Sequence, residues 1–219
     1  MQHSDAPPAR QLSPNHIRRN RVLLICLMIL SMLPLIGAVW VYYGIPGSVA
    51  GAQTNQGALL DPPAQLEELG LLDAGGRVLV PGSERRWRLV VFPGRDCGSE
   101  CLEALQLLRQ LHILLGRDDG RVLRLAAFTA RDGAGLREEL ERRLPEMAQL
   151  DAAEGLLGRV LGERELRARN VRPLAEDGPD SGVLVVDPLG NVILYHGLDQ
   201  IGPDLLSDLK QLLRLSNIG

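Results

Sequence analysis

The chain has 219 residues, with 24 basic and 27 acidic side chains and a formal net charge of −3. Only 3% of the residues are aromatic, so the sequence offers no set of rings on which nucleotide bases could stack. The first 21 residues carry four arginines and one aspartate, a net charge of +3, which leaves −6 on the remainder. An acidic remainder without a basic stripe excludes nucleic acid as an expected partner.

An uncharged apolar run at residues 22–43 is the first predicted element. As a helix it would extend about 33 Å, enough to cross a hydrocarbon core of about 30 Å. Three arginines lie just before it, and no basic residue follows until Arg77. This asymmetry predicts a single-pass anchor with a cytoplasmic N-terminus and an exported C-terminal part. A cleaved signal peptide is the alternative, because Ser48-Val49-Ala50 resembles a cleavage site, but signal peptides have shorter apolar regions of about 7–15 residues.

The sequence divides into a cytoplasmic tail (residues 1–21), the transmembrane helix (22–43), a linker (44–61) and a folded domain (62–219). In the folded domain, short apolar runs alternate with longer amphipathic stretches. This order predicts an α/β fold with a mixed sheet flanked by helices. The predicted elements are a hairpin at 69–81, strands at 87–92, 122–129, 147–150, 182–186 and 191–196, and helices at 99–115, 135–144, 153–164 and 202–215.

Two of the three cysteines lie where a predicted strand passes into a helix. Cys97 and Cys101 are four residues apart at the start of the helix, which places both sulfurs on one side of its first turn. Their Cα atoms would be about 6 Å apart, a separation that a disulfide accepts. The helix N-terminus and Arg95 favour a thiolate, whereas acidic neighbours oppose it. Cys26 lies inside the apolar run and is expected to be a small membrane-buried residue.

The cysteine pair admits four interpretations. It is a structural disulfide, a reversible dithiol that exchanges disulfides, a site for a soft metal ion, chiefly Cu(I), or a pair without a present role. Cys97, at the helix entrance, is expected to be the more reactive thiol. Cys101, one turn inside, is expected to be the resolving or second-ligand thiol.

With these features the chain resembles the thioredoxin-like superfamily. Within that superfamily it resembles the Sco family of membrane-anchored copper proteins, which assist assembly of the copper centre of cytochrome c oxidase. The resemblance covers residues 56–219 and the anchor. It rests on the hairpin, the motif CGSEC after a core strand, and the strand and turn VLVVDPLG at residues 183–190. It implies a thioredoxin-like domain in the periplasm, held in a bacterial inner membrane. The implied partner is the copper-bearing subunit of cytochrome c oxidase or another assembly factor.

The resemblance implies Cu(I) as a cofactor, with Cys97 and Cys101 as metal ligands. Sco proteins add a histidine that lies a few residues before the strand equivalent to residues 182–186. Here that stretch reads EDGPDSG and contains no histidine, so the implied ligand set carries over to the two cysteines alone. Of the other histidines, His112 is expected on the helix surface, about 16 Å from Cys101, and His196 at an exposed strand edge.

Three functions remain open from the sequence. The first is an accessory factor for oxidase assembly that acts through the CxxxC dithiol in copper or thiol handling. The second is a periplasmic thiol–disulfide oxidoreductase, and the third is a non-catalytic docking module of the oxidase. Enzymatic activity would at most be thiol–disulfide exchange.

Overall fold

The computed structural model describes residues 14–44, 55–82, 85–95, 97–132, 134–167 and 179–216. The chain forms two units, Met1–Ala52 and Gln53–Gly219. The first unit contains helix α1, Pro14–Gly44. Its 23-residue segment Arg18–Trp40 includes an 18-residue window with a mean hydropathy of 2.8 and is a candidate membrane span. The predicted span at residues 22–43 therefore lies within a longer helix, which begins inside the predicted tail.

The second unit is built on one seven-stranded sheet with strand order β4-β3-β2-β6-β7-β1-β5. The strands β2, β3 and β4 are parallel to one another, and every other neighbouring pair in the sheet is antiparallel. This is the predicted mixed sheet. The strands are β1 Ala58–Gln65, β2 Trp87–Phe92, β3 Val122–Phe128, β4 Ala148–Asp151, β5 Glu165–Arg167, β6 Gly182–Val186 and β7 Asn191–His196.

The central strands β2 and β6 are buried along their whole length, because helices or loops cover both faces of the sheet. Alternate residues enter opposite hydrophobic clusters: Leu89 and Val91 belong to one cluster, Val90 and Phe92 to the other. The first cluster includes residues of helices α2, α3 and α5, and the second includes helix α4 and the turn at Leu66–Leu69. The helices are α2 Ser99–Leu114, α3 Ala134–Arg143, α4 Leu156–Gly162 and α5 Pro203–Leu215.

Strands β1 and β5 are absent from the sequence prediction. Strand β1 begins at Ala58, inside the predicted linker at residues 44–61, so the folded unit starts before residue 62. It contains Pro62 and Pro63, residues that sequence patterns assign to turns rather than strands. Strand β5 has three residues and pairs with β1 at the sheet edge. The predicted hairpin is reduced to a single antiparallel bridge between Leu72 and Val78.

Candidate functional site

The loop between β2 and α2 carries the predicted site residues. It leaves the sheet at Phe92 and turns at Gly94, whose φ is +79°. A Cβ on Gly94 would lie 2.8 Å from the Cβ of Ser181 and 3.2 Å from Oδ1 of Asp180. Glycine is therefore required here both by backbone conformation and by the close approach of the segment before β6. The loop is thus held against that segment before it reaches the cysteines.

Cys97 and Cys101 form a disulfide, with their Cα atoms 5.1 Å apart. Cys97 is half-buried and precedes α2, whereas Cys101 lies in the first helical turn and is 7% exposed. The Sγ of Cys101 is 3.6 Å from the carbonyl oxygen of Pro93. The structure therefore brings the predicted pair together and leaves Cys97 more exposed than Cys101.

The charge near the cysteines is partly compensated. Arg95, expected to favour a thiolate, has its Nε 3.4 Å from Oδ2 of Asp180, and both side chains are about half exposed. An exposed ion pair of this kind contributes little to stability, but it offsets the positive charge of the guanidinium. Both residues line a depression of about 300 Å³ at the carboxyl ends of β2, β3 and β4. A second ion pair, Arg131 with Glu154, lies among the residues of this depression.

A larger depression of about 590 Å³ lies beside the buried sulfur. The start of α2, the segment before β6 and the segment after β7 line it, including Cys101, Tyr195 and Asp199. The Tyr195 hydroxyl donates a hydrogen bond of 3.0 Å to the carbonyl oxygen of Ser181. Burial of the phenol, with smaller contributions from Asp199 and Asp180, raises the pKa of Tyr195 to about 12, so the hydroxyl stays protonated at neutral pH. Cys101 lines this depression, whereas Cys97 is not among its lining residues.

The prediction for His196 is wrong. Its side chain is fully buried, and its Nε2 lies 3.2 Å from Oδ2 of Asp208 on α5, although the angle falls outside hydrogen-bond geometry. Burial acts to raise the pKa of Asp208, but the contacts with His196, Gly57 and Gln56 outweigh it and hold the pKa below its ordinary value. The pattern of β7 gave no signal for this pair, because Asp208 comes from a separate helix.

The prediction for His112 is also only partly correct. It lies on α2, far along the helix from Cys101, but it is half-buried and its Nδ1 is buried without a hydrogen-bond partner among the described residues. Burial, together with the positive charge of Arg124, lowers the pKa of His112, while Asp119 and Glu146 oppose the shift. Arg124 is itself buried and lies 3.2 Å from Glu146. The folded chain therefore favours the neutral imidazole.

We expect this histidine to make the domain less stable in mild acid. The unfolded chain protonates His112 at its ordinary pKa of about 6.5, whereas the folded chain resists protonation, so acidification favours unfolding. Between about pH 7.5 and about pH 5.5, the Tm of the wild-type domain should fall more than that of a His112→Gln variant. Parallel Tm curves for the two proteins across this range would show that His112 does not contribute.

The described residues do not provide a three-ligand metal site. No group of three or more histidine, cysteine, aspartate or glutamate side chains in the described part of the chain could hold a metal ion. The stretch EDGPDSG at residues 176–182 contains no histidine, and its residues 176–178 lie outside the described residues. The donor set does not fit a site of two cysteines and one histidine.

The chain was compared with family models, with curated proteins and with solved structures. A family model of transmembrane-like, thioredoxin-like C-terminal domains matches residues 87–216, which is more than half of the chain. A search of curated proteins finds no match. Among solved structures, yeast Sco1 is 16% identical, with 76% of this chain and 98% of that chain covered and a TM-score of 0.48.

Two further solved structures are similar to this chain. Copper-bound ScoI from Bradyrhizobium japonicum is 19% identical, with 72% of this chain and 99% of that chain covered and a TM-score of 0.41. A thiol:disulfide interchange protein from Bacteroides sp. is 14% identical, with 74% and 92% covered and a TM-score of 0.45. The fold is thioredoxin-like, and the chain belongs to the family of transmembrane-like, thioredoxin-like C-terminal domains.

Proposed function

We propose that this protein exchanges disulfides with a partner protein outside the cytoplasm, through Cys97 and Cys101, while its N-terminal helix anchors it in a membrane. The observation that carries the proposal is the unequal exposure of the two cysteines, with Cys97 half-buried and Cys101 only 7% exposed. A bridge with no exchange role has no need of an accessible sulfur. An exchanging bridge needs one sulfur that can be attacked and one that is protected.

The exchange reaction follows from this inequality. A thiolate of the partner attacks Sγ of Cys97, the Cys97–Cys101 bond breaks, and a mixed disulfide forms between the partner and Cys97. The leaving sulfur of Cys101 takes up a proton, and its S–H then faces the carbonyl oxygen of Pro93, 3.6 Å away. A second partner thiolate attacks the partner sulfur of the mixed disulfide, which releases the Cys97 thiolate. The partner is oxidised by two electrons and the CxxxC pair is reduced; the reverse sequence reduces a partner.

The partner that we propose is the copper-bearing subunit of cytochrome c oxidase or another assembly factor of that enzyme. The support is the sequence resemblance carried by the CGSEC motif, the strand and turn at residues 183–190, and the anchor. The arginines before the apolar run support a periplasmic domain on a bacterial inner membrane. In this proposal the disulfide exchange prepares the partner's cysteines for their later role in the oxidase.

Copper transfer is the second candidate, with Cu(I) as cargo. In the reduced form, two thiols on one helical turn would offer Cu(I) the soft ligands that it prefers. The cargo would be held by Cys97 and Cys101 alone in the described part of the chain, because no third ligand accompanies them there. Copper and exchange therefore compete for the same two sulfurs, and one experiment can separate them.

The test is a redox titration of the full chain in nanodiscs, read by thiol trapping. A Cys26→Ala substitution removes the third cysteine, so the trapped thiols are those of Cys97 and Cys101. We expect a reduction potential above about −300 mV, since values below that are typical of permanent structural bridges. A lower potential would contradict the proposal.

The same reduced protein is then titrated with Cu(I) against a chelator, with a Cys97→Ala/Cys101→Ala variant as the control. Binding no tighter than that of the control excludes copper as cargo. In cells, oxidase assembly that survives the double substitution but fails without the whole protein would favour the docking module over both thiol functions.

A further inference from the structure

Asp208 on α5 is a buried carboxylate that joins three separate segments of the chain. It is 2% exposed. Both of its oxygens accept the backbone N–H of Gln56, at 3.0 and 2.9 Å, and Oδ2 also accepts that of Gly57 at 2.9 Å. The ring of His196, at the end of β7, lies against the same Oδ2. A carboxylate placed to satisfy this many donors in the interior is costly to replace, because each donor would lose its partner away from water.

The segment Asn55–Gly57 is held tightly over the histidine ring. A Cβ on Gly57 would lie 2.4 Å from Nε2 of His196, so there is no room for any side chain other than hydrogen at this position. The amide of Asn55 donates a 2.6 Å hydrogen bond to the carbonyl oxygen of Gly57, which fixes the turn from within. We call Asn55–Gly57 the strap.

The strap and Asp208 lie next to residues 197–199, which line the depression that contains Cys101. His196 is followed directly by Gly197, Leu198 and Asp199, which line that depression. The N–H of Gly197 donates to Oε1 of Gln200 at 3.0 Å, and the chain then enters α5, which returns Asp208 to His196. The contact between Asp208 and His196 therefore joins α5 to the end of β7, the two elements between which residues 197–199 lie. We call residues 197–199 the wall.

We propose that Asp208 is a positioning residue for disulfide exchange: through His196 and the strap, it holds the wall in the shape on which a thiol-bearing segment of the partner docks. This inference rests on the proposed function. It concerns the docking of a chain segment and does not concern the chemistry of the sulfur atoms, because the polar partners of Asp208 among the described residues are the strap and His196. Loss of the carboxylate should therefore impair exchange with a peptide thiol and spare exchange with a small dithiol.

The test compares two variants that disturb this arrangement in different ways. Asp208→Asn removes the charge with little change of shape, and Gly57→Ala forces the strap off the ring without changing any charge. The matched controls are Asp204→Asn, the same substitution at an exposed position on α5, and Gly120→Ala, where an added Cβ meets nothing within 4 Å. All proteins are full-length, in nanodiscs, carry Cys26→Ala, and are compared at a temperature at which each is folded.

Two exchange rates are measured for each protein: reduction of the disulfide by dithiothreitol and reduction by a peptide that carries one cysteine. We expect Asp208→Asn and Gly57→Ala to slow the peptide reaction about tenfold relative to the dithiothreitol reaction, because misplacement of the docking surface affects only the larger reactant. The two controls should leave the ratio of rates unchanged. Amide hydrogen exchange at residues 197–199 should become faster in the two variants and not in the controls.

The outcomes separate this inference from the proposed function. A wild-type protein that reacts with dithiothreitol but with no peptide or protein thiol would count against the proposed function. Folded variants with the wild-type ratio of rates, or with both rates lowered equally, would overturn the positioning role. Wild-type amide exchange in the wall of Asp208→Asn would overturn it as well, whatever the exchange kinetics of the wild type.

Discussion

A Cys101→Ser variant is expected to accumulate a mixed disulfide when it is treated with a peptide supplied as an activated disulfide, whereas Cys97→Ser is not. The reason is exposure: Cys97 is half-buried and meets the solvent, whereas Cys101 is 7% exposed and faces the carbonyl oxygen of Pro93. With Cys101 removed, an activated peptide disulfide can react with Cys97, and no neighbouring thiol remains to resolve the product. Mass spectrometry of the intact chain under non-reducing conditions measures the trapped adduct.

Both single variants lack a resolving thiol, so the difference in adduct between them measures the difference in exposure between Cys97 and Cys101. A Cys26→Ala substitution in every variant removes the third cysteine of the chain, which would otherwise compete. The double variant Cys97→Ser/Cys101→Ser, treated in the same way, sets the background. Equal adduct on the two single variants would mean that the half-buried and the buried sulfur react alike, and the assignment of Cys97 as the attacked sulfur would fail.

The strands of the sheet centre could be predicted from sequence because their residues are locally unambiguous. The runs WRLVVF and GVLVV are short, apolar and bounded by turn residues, and the structure places β2 and β6 at these positions. The sheet edge could not be predicted in the same way. Strand β1 contains two prolines and an aspartate, and it is extended because β7 and β5 pair with it on either side. Its conformation is a tertiary effect that a local pattern does not contain.

The same distinction applies to the site. The proximity of the two cysteines could be predicted because they lie about one helical turn apart, so their separation follows from local geometry. The role of Asp208 as a buried hydrogen-bond acceptor could not be predicted, because its partners Gln56 and Gly57 lie 152 and 151 residues away in sequence. The sequence predicts an exposed edge position for His196 because it ends the second strand of a predicted hairpin. It is buried because β1 continues the sheet beyond β7, and the strap that precedes β1 lies over the ring.

The second large effect that we expect is a loss of stability in a Leu108→Ala variant, where the helix that carries Cys101 packs against the sheet. Leu108 is fully buried and lies seven residues after Cys101, two turns along the same face of α2. It belongs to the hydrophobic cluster that joins this helix to the sheet. Removal of its side chain creates a cavity, and we expect the free energy of unfolding to fall by about 2–5 kcal/mol.

Leu114→Ala provides the matched control, because it is the same substitution in the same helix at a residue that is 59% exposed. Its effect on the free energy of unfolding should stay within about 0.5 kcal/mol. Urea unfolding can be followed by the fluorescence of Trp87, which is 4% exposed and belongs to the same cluster as Leu108. Because α2 holds Cys101 in place, Leu108→Ala should also speed reduction of the disulfide by dithiothreitol, whereas Leu114→Ala should not. Equal losses of stability in the two variants would mean that α2 is not anchored to the sheet through Leu108, and the protection of Cys101 would then need another cause.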